Sequence, residues 1–211
     1  MRTALTGVAL IPTQELIEKI VSFRNASSAE ITGPLLGSNI NFPHVSILQC
    51  PFRAGVLNES RLLSIVDQFR SEKGDSMLEG AIGCLYIQPV GWVFAGIDLS
   101  GSGLVIQRIA LSQLEAGIDD KAIDIQRDMT GYTAQEKLNF QKYGYRYIGN
   151  EFKPHITIGR TFNDHQLKIL DVTEERFKNS LRGRVIPFRR LVAYRAGEFG
   201  SLSEIISEVA I

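Results

Sequence analysis

Three histidines occur among the 211 residues, and two of them stand in matched settings. Phe42-Pro43-His44-Val45-Ser46-Ile47 and Lys153-Pro154-His155-Ile156-Thr157-Ile158 both read Pro-His-apolar-hydroxyl-Ile. In a β-strand, residues i and i+2 point to the same face, roughly 6.5–7 Å apart. Each motif therefore presents an imidazole and a hydroxyl together, while Val45 and Ile156 anchor into the opposite side. Two such strands across a cleft would offer two imidazoles and two hydroxyls to one tetrahedral phosphate. Ser46 and Thr157 can donate hydrogen bonds to its non-bridging oxygens. One neutral histidine can take a proton from an attacking water or hydroxyl, and the other, protonated, can give one to the leaving oxygen. Histidine suits both tasks because its ordinary pKa lies near 6.5.

A single strand histidine beside a hydroxyl residue is ordinarily structural, so it is the repetition that points to chemistry. A metal site would need further ligands. His165 is the one other imidazole, and no carboxylate or cysteine stands at ligand spacing beside His44 or His155. The sequence therefore predicts no metal and no cofactor. His165 lies in Asn163-Asp164-His165, where a helix is expected to start, and reads as a neighbour of that cap.

The elements that position the motifs follow from hydrophobic period and punctuation. A buried strand is expected over Ala4 to Ile11. A helix from Pro12-Thr13 carries Leu16, Ile17, Ile20, Val21 and Phe23 on one face. A loop covers Asn25 to Asn41, a strand His44 to Gln49, and Asn58 caps a second helix. Ala81 to Gln88 and Trp92 to Asp98 flank Pro89-Val90-Gly91 as a hairpin. Helical patterns fit Leu104 to Glu115 and Thr133 to Lys142. A strand at Pro154 to Arg160 precedes a helix from about Asp164 to Leu181, and strands at Val185 to Tyr194 and Glu204 to Ala210 close the chain. Helix-strand-strand follows each Pro-His strand, which suggests an internal duplication. Mixed helices, strands and hairpins predict an α+β fold with mainly antiparallel sheet.

Composition narrows the class. Lys+Arg and Asp+Glu are 23 each, so the net charge is zero, which argues against holding long nucleic acid by charge alone. Small or terminal phosphates stay open. Cys50 and Cys84 have no ligand-like spacing and read as buried, reduced thiols. No apolar run approaches the roughly 20 residues that span a bilayer, and Met1 to Leu10 lacks the pattern of a secretory leader. Together these point to a cytoplasmic protein without a membrane partner.

The two motifs resemble those of the two-histidine (2H) phosphoesterase superfamily, in particular its bacterial 2′-5′ RNA ligase and RNA 2′,3′-cyclic phosphodiesterase branch. Phe42 to Ile47, continuing to Pro51-Phe52, looks like the first motif, and Phe152 to Arg160 like the second, trailing arginine included. The resemblance implies a pair of pseudo-symmetric lobes, interleaved as one domain over residues 1–211, whose antiparallel sheets face a central cleft. It implies metal-independent hydrolysis of a 2′,3′-cyclic phosphate or 2′-5′ phosphodiester of a nucleotide or RNA end. It assigns His44 as acid and His155 as base, an order that the near symmetry of the residues leaves open. Ser46 stands where threonine is common. The gap between the histidines is long for compact members, with extra material expected over Gly101 to Gly149. A phosphodiesterase for a small non-RNA metabolite and a non-catalytic nucleotide-binding module are the alternatives.

Further candidate substrate contacts are Phe42, Arg160 and Tyr147. Arg160 falls on the face opposite His155 in a regular strand. Tyr143, Tyr145 and Tyr147 alternate as strand residues do and can stack a base. Trp92 is a candidate for the cleft wall. Seven basic and no acidic residues between Arg176 and Arg195 form either a nucleotide-attracting or a solvated face.

Overall fold

The computed structural model describes residues 5–33, 36–37, 41–74, 78–88, 91–161, 166–197 and 200–211, with the side chains of 166–171 not among them. Seven strands carry the architecture: β1 (Thr6–Pro12), β2 (Val45–Cys50), β3 (Glu79–Ile87), β4 (Trp92–Asp98), β5 (His155–Arg160), β6 (Val185–Ala196) and β7 (Leu202–Ala210). Five α-helices accompany them: α1 (Gln14–Ala26), α2 (Glu59–Lys73), α3 (Ser102–Leu114), α4 (Ala134–Tyr143) and α5 (Gln166–Ser180). All ladders are antiparallel. The expected α+β class with antiparallel sheet is what the chain forms.

The helices follow their local signals. Helix α1 buries Leu16, Ile17, Ile20 and Phe23. The Asn58 side chain accepts from the Arg61 amide at 3.0 Å and starts α2, whose buried stripe is Leu62, Ile65, Val66 and Phe69. Helix α4 begins with a reciprocal capping box between Thr133 and Glu136 and stops at Gly144 in a left-handed conformation, as expected of such signals.

Strand order reveals the duplication. The strands run β2-β1-β6-β3-β4-β5, with β7 added on the other side of β6. Exchanging β1 with β4, β2 with β5, and β3 with β6 reverses this order into itself. The helices obey the same exchange: α1 packs on α5 and β5, while α3 packs on α2 and β2. Each half therefore contributes strand-helix-strand-helix-strand, with α4 an addition to the second, and its third strand joins the sheet of the other half. This corrects the expected repeat unit: β4 is the counterpart of β1, and β7 has none. The two sheets are also continuous rather than separate. The twelve-residue β6 pairs with β3 through Val185 to Pro187 and with β1 through Phe188 to Arg195.

Other differences are local. Tyr143 ends α4, and Tyr145 and Tyr147 lie in irregular backbone rather than a strand, because Gly144 turns the chain out of the helix. Both thiols are free, Cys50 buried and Cys84 exposed. The hairpin turn at 89–90 and the helix start around His165 fall outside the described residues. None of the helices among the described residues is long and apolar enough to cross a membrane.

One buried side chain ties the halves together. Gln107 of α3 donates to the carbonyl of Ile47 at 2.9 Å and of Tyr147 at 2.7 Å, and accepts from the Gly149 amide at 2.9 Å. Gln107→Leu keeps the bulk but strands three backbone groups, each costing roughly 1–3 kcal/mol when buried without a partner. The variant is expected to lose at least about 2 kcal/mol of stability in a urea titration. A midpoint equal to wild type would contradict this clamp.

Candidate active site

Strands β2 and β5 are equivalent edges in the palindromic order, and their burial patterns match residue for residue. His44, Ser46 and Gln49 are half-buried while Val45, Ile47 and Leu48 are buried; His155, Thr157 and Arg160 are half-buried while Ile156, Ile158 and Gly159 are buried. Simple alternation breaks at the same place in both. Val8 faces Leu48 and the next residue, Ala9, faces Ser46, so Ile47 is the extra residue of a bulge. Likewise Val93 faces Gly159 and Phe94 faces Thr157, so Ile158 is extra. A bulge shifts the pleat by one. It returns Gln49 and Arg160 to the side of the histidines, where a regular strand would have turned them away. Gly159 is needed beside the second bulge: a Cβ there would lie 2.5 Å from the Thr32 carbonyl oxygen and from Ile31.

The face so defined opens on one cavity of about 170 Å³, lined by His44, Ser46, His155 and Thr157 together with Gln49, Gln88, Trp92, Phe94, Arg127, Arg146 and other side chains. All four motif residues thus meet in one place. The Tyr147 ring also lines it and stands edge-on to His155, centroids 5.7 Å apart, with its hydroxyl taking a hydrogen bond from Gln88 at 2.8 Å. Arg160 lies above the Trp92 ring, 5.5 Å from its centroid. Phe42 is placed otherwise: its ring packs in a second apolar cluster with Ala9, Ile11 and Tyr194 as members, beneath Arg190. Its contribution to the site is a carbonyl. Of the seven basic residues between Arg176 and Arg195, none lines the cavity; Arg190 and Arg195 pair with Glu208 and Glu204 at 2.9 Å each.

That carbonyl explains the proline. His44 Nδ1 lies 2.8 Å from the Phe42 oxygen, and His155 Nδ1 lies 2.6 Å from the Lys153 oxygen. In each case the acceptor is two residues back, across Pro43 or Pro154. A proline fixes its own φ and forces the preceding residue to be extended, which holds that carbonyl in place. A carbonyl only accepts, so Nδ1 carries the hydrogen and Nε2 is left to exchange protons with a ligand.

The surroundings of the two rings differ. His155 stacks on Phe94 at 4.0 Å between centroids. At the equivalent place beside His44 stands Ala9, and His44 instead meets Tyr194 at 5.4 Å. Burial lowers the pKa of both imidazoles, opposed by the Nδ1 bond. For His155 the charges of His44 and Arg146 lower it further, to about 4.

Two functional neighbours carried no signal in the motif pattern, Gln49 and Tyr194. The Gln49 amide nitrogen donates to the Gly200 carbonyl at 3.1 Å and to the Tyr194 hydroxyl at 2.9 Å. The Gly200 carbonyl fixes which end of the amide is NH₂, so Tyr194 receives a hydrogen there. That hydroxyl lies 3.0 Å from Ser46 Oγ, a pair in which either oxygen can donate; when Tyr194 donates, the serine proton is left for a ligand in the cavity. Gly7 makes room for this tyrosine; a Cβ on it would lie 2.6 Å from the ring.

Depressed imidazole pKa values set a direction for stability. Between the ordinary value near 6.5 and about 4, the unfolded chain binds more protons than the folded one. Stability is therefore present above pH 6.5 and is lost as pH falls through that window. Urea midpoints measured from pH 7 to pH 4 should decline, and decline less in His155→Gln. A wild-type midpoint independent of pH would contradict the burial of neutral rings.

Neither protein-family models nor curated proteins match the chain. Solved structures do. The apo form of E. coli LigT superposes with a TM-score of 0.51 at 12% identity, covering 100% of this chain and 98% of that one. LigT complexed with 3′-AMP gives 0.49 at 10%, and LigT complexed with phosphate 0.48 at 11%, each covering 100% of this chain and 99% of that one. At such identity the apo comparison speaks for the fold alone. Over its full length the chain has the LigT fold, the antiparallel α+β architecture implied by the resemblance of its two motifs to 2H phosphoesterases.

Proposed function

We propose that the protein is a metal-independent phosphoesterase hydrolysing a 2′,3′-cyclic phosphate or a 2′-5′ phosphodiester of a nucleotide or RNA end. The observation that carries this reading is the convergence of two tethered imidazoles and two hydroxyls on one cavity. Residues 1–211 act in it as one domain of two interleaved lobes, a reading supported by the exchange of β3 and β6 between sheets.

His155 is assigned as the base, because burial holds its pKa at about 4 and keeps Nε2 unprotonated. It takes a proton from water as the water oxygen bonds to phosphorus. The bond from phosphorus to one ribose oxygen breaks, and that oxygen takes the proton from Nε2 of His44. A monoester remains, with His155 protonated and His44 neutral, and solvent exchange restores the pair. Ser46 and Thr157 donate to the non-bridging oxygens, whose growing charge in the transition state rewards fixed donors. The proton His44 gives away arrives with the substrate, since phosphate charge beside an imidazole favours its protonated form. Among the described residues no group of three His, Cys, Asp or Glu is placed to hold a metal ion.

Turnover of 2′,3′-cyclic nucleotides in the presence of chelator, compared among wild type, His44→Ala and His155→Ala, tests the proposal. Wild-type hydrolysis that falls by about 100-fold or more in both variants is expected, from the usual size of acid–base catalysis. Full activity in either variant, or a strict divalent-metal requirement, would sink it; tight binding without product would make the cleft a nucleotide-binding module.

The pH dependence follows from the same pair. The kcat/KM of the free enzyme requires neutral His155 and protonated His44 together. With both values depressed, the bell should peak below pH 6.5, and kcat should peak higher because bound phosphate raises both. A kcat/KM maximum above pH 7 would contradict these assignments.

A further inference from the structure

Behind Ser46 stands a polar side chain that the two motifs do not contain. Tyr194 of β6 is fully buried and does not line the cavity. Its hydroxyl has two partners, Ser46 Oγ at 3.0 Å and the Gln49 amide nitrogen at 2.9 Å. That nitrogen only donates, and the Gly200 carbonyl at 3.1 Å takes its other hydrogen. Taken alone, the Ser46–Tyr194 pair allows either direction; with Gln49 included it does not. If the serine donated, the phenol oxygen would receive two hydrogens. Its own proton would then have no acceptor among the described residues, in a place closed to solvent. A buried donor without a partner is costly and rare in folded proteins. Burial also raises the phenol pKa, to about 12, so the proton stays on the ring oxygen. The one arrangement that satisfies every group runs from Gln49 to Tyr194 and from Tyr194 to Ser46. The serine proton is left over, and Ser46 lines the cavity beside His44 and His155.

The other half is built differently at the same place. Tyr194 stands opposite Gly7 of β1, and exchanging the halves puts Gln88 opposite Trp92 of β4, where its backbone N–H donates to the Trp92 carbonyl at 2.8 Å. The Gln88 side chain donates to the Tyr147 hydroxyl at 2.8 Å and not to Thr157. Of the two hydroxyls, the serine alone has its proton aimed in this way among the described residues. A donor aimed before the ligand arrives loses no orientation on binding, and it favours charge that grows on one particular oxygen.

We infer that Tyr194 is a positioning residue for the reacting phosphate: held in direction by Gln49, it donates to Ser46 and keeps the serine proton for a phosphate oxygen. The inference rests on reading the cavity as a phosphate site, and it deepens that reading by giving one of the two hydroxyls a fixed direction.

Two measurements test it. Neutron diffraction from deuterium-exchanged crystals of the wild type should place the Tyr194 deuterium on the line to Ser46 Oγ. A serine deuterium on that line would overturn the relay. Titration with inorganic phosphate reads its effect. Ser46→Ala should weaken binding about tenfold or more, the size of one charge-assisted contact. Tyr194→Phe, which keeps the ring, should weaken it about threefold or more, the size of one neutral hydrogen bond. In the Ser46→Ala background Tyr194→Phe should change nothing further, because the relay then has no hydroxyl to act through. A tyrosine that matters only for packing would weaken binding equally in both backgrounds. That outcome, an unchanged affinity in either single variant, or no phosphate binding by the wild type would overturn the inference. Failure of the proposed hydrolysis registers separately, as absent turnover of 2′,3′-cyclic nucleotides by a protein whose phosphate affinities still follow this pattern.

Discussion

A hydrogen bond from each imidazole to the carbonyl two residues behind it is the contact on which the site depends. Without it, a strand histidine could rotate, and either ring nitrogen could carry the proton. With Nδ1 held to Phe42 and to Lys153, ring orientation and tautomer are fixed together, and Nε2 is the nitrogen presented to a ligand. The prolines belong to this device, since they hold the accepting carbonyls where a flexible backbone would not. Two sites built alike then require two strands built alike, and the palindromic strand order provides them.

The repeat holds in strand order and in the two bulges and is broken in side chains. Both His strands bulge one residue after the hydroxyl, bringing the fifth residue beyond the histidine back to the strand face of the histidines. In β2 that residue is Gln49, which lines the cavity and is bonded to the Tyr194 hydroxyl that in turn bonds Ser46; in β5 it is Arg160, which does not line the cavity and lies over the Trp92 ring. Opposite the hydroxyls, Ala9 in one half answers to Phe94 in the other. Burial, with a large ring against His155 and the nearby charge of Arg146, makes that imidazole hard to protonate. Two identical imidazole sites would compete for the same proton. Unequal surroundings make the two sites distinct.

The segment between α3 and β5 does more than lengthen the chain. Gln107 and Asn139 bind its backbone on both sides of Tyr147, so Arg146 and Tyr147 project from a fixed wall. A chain with zero net charge can in this way present a cavity whose charged lining groups are both arginines. Attraction for phosphate is then local, in keeping with a small ligand rather than a long polymer.

The histidine-hydroxyl pairs were legible in the sequence because strand geometry is local: a period of two fixes which side chains share a face. The helix caps at Asn58 and Thr133 were legible for the same reason. Pairing is not local, so the exchange of β3 and β6 and the odd status of β7 could not be read from the order of elements. The bulges hid as well, because each depends on a neighbouring strand, so regular alternation could not foresee the shift of the pleat at Gln49 and Arg160. Tyr145 and Tyr147 alternate in sequence, but Gly144 and the bonds from Asn139 and Gln107 shape their backbone instead. The sequence by itself determined which imidazole and hydroxyl share a strand face in each motif. Only the tertiary structure decided their neighbours, and with them the ring contacts, hydrogen-bond partners and charges that distinguish one histidine from the other, because those depend on atoms far away along the chain.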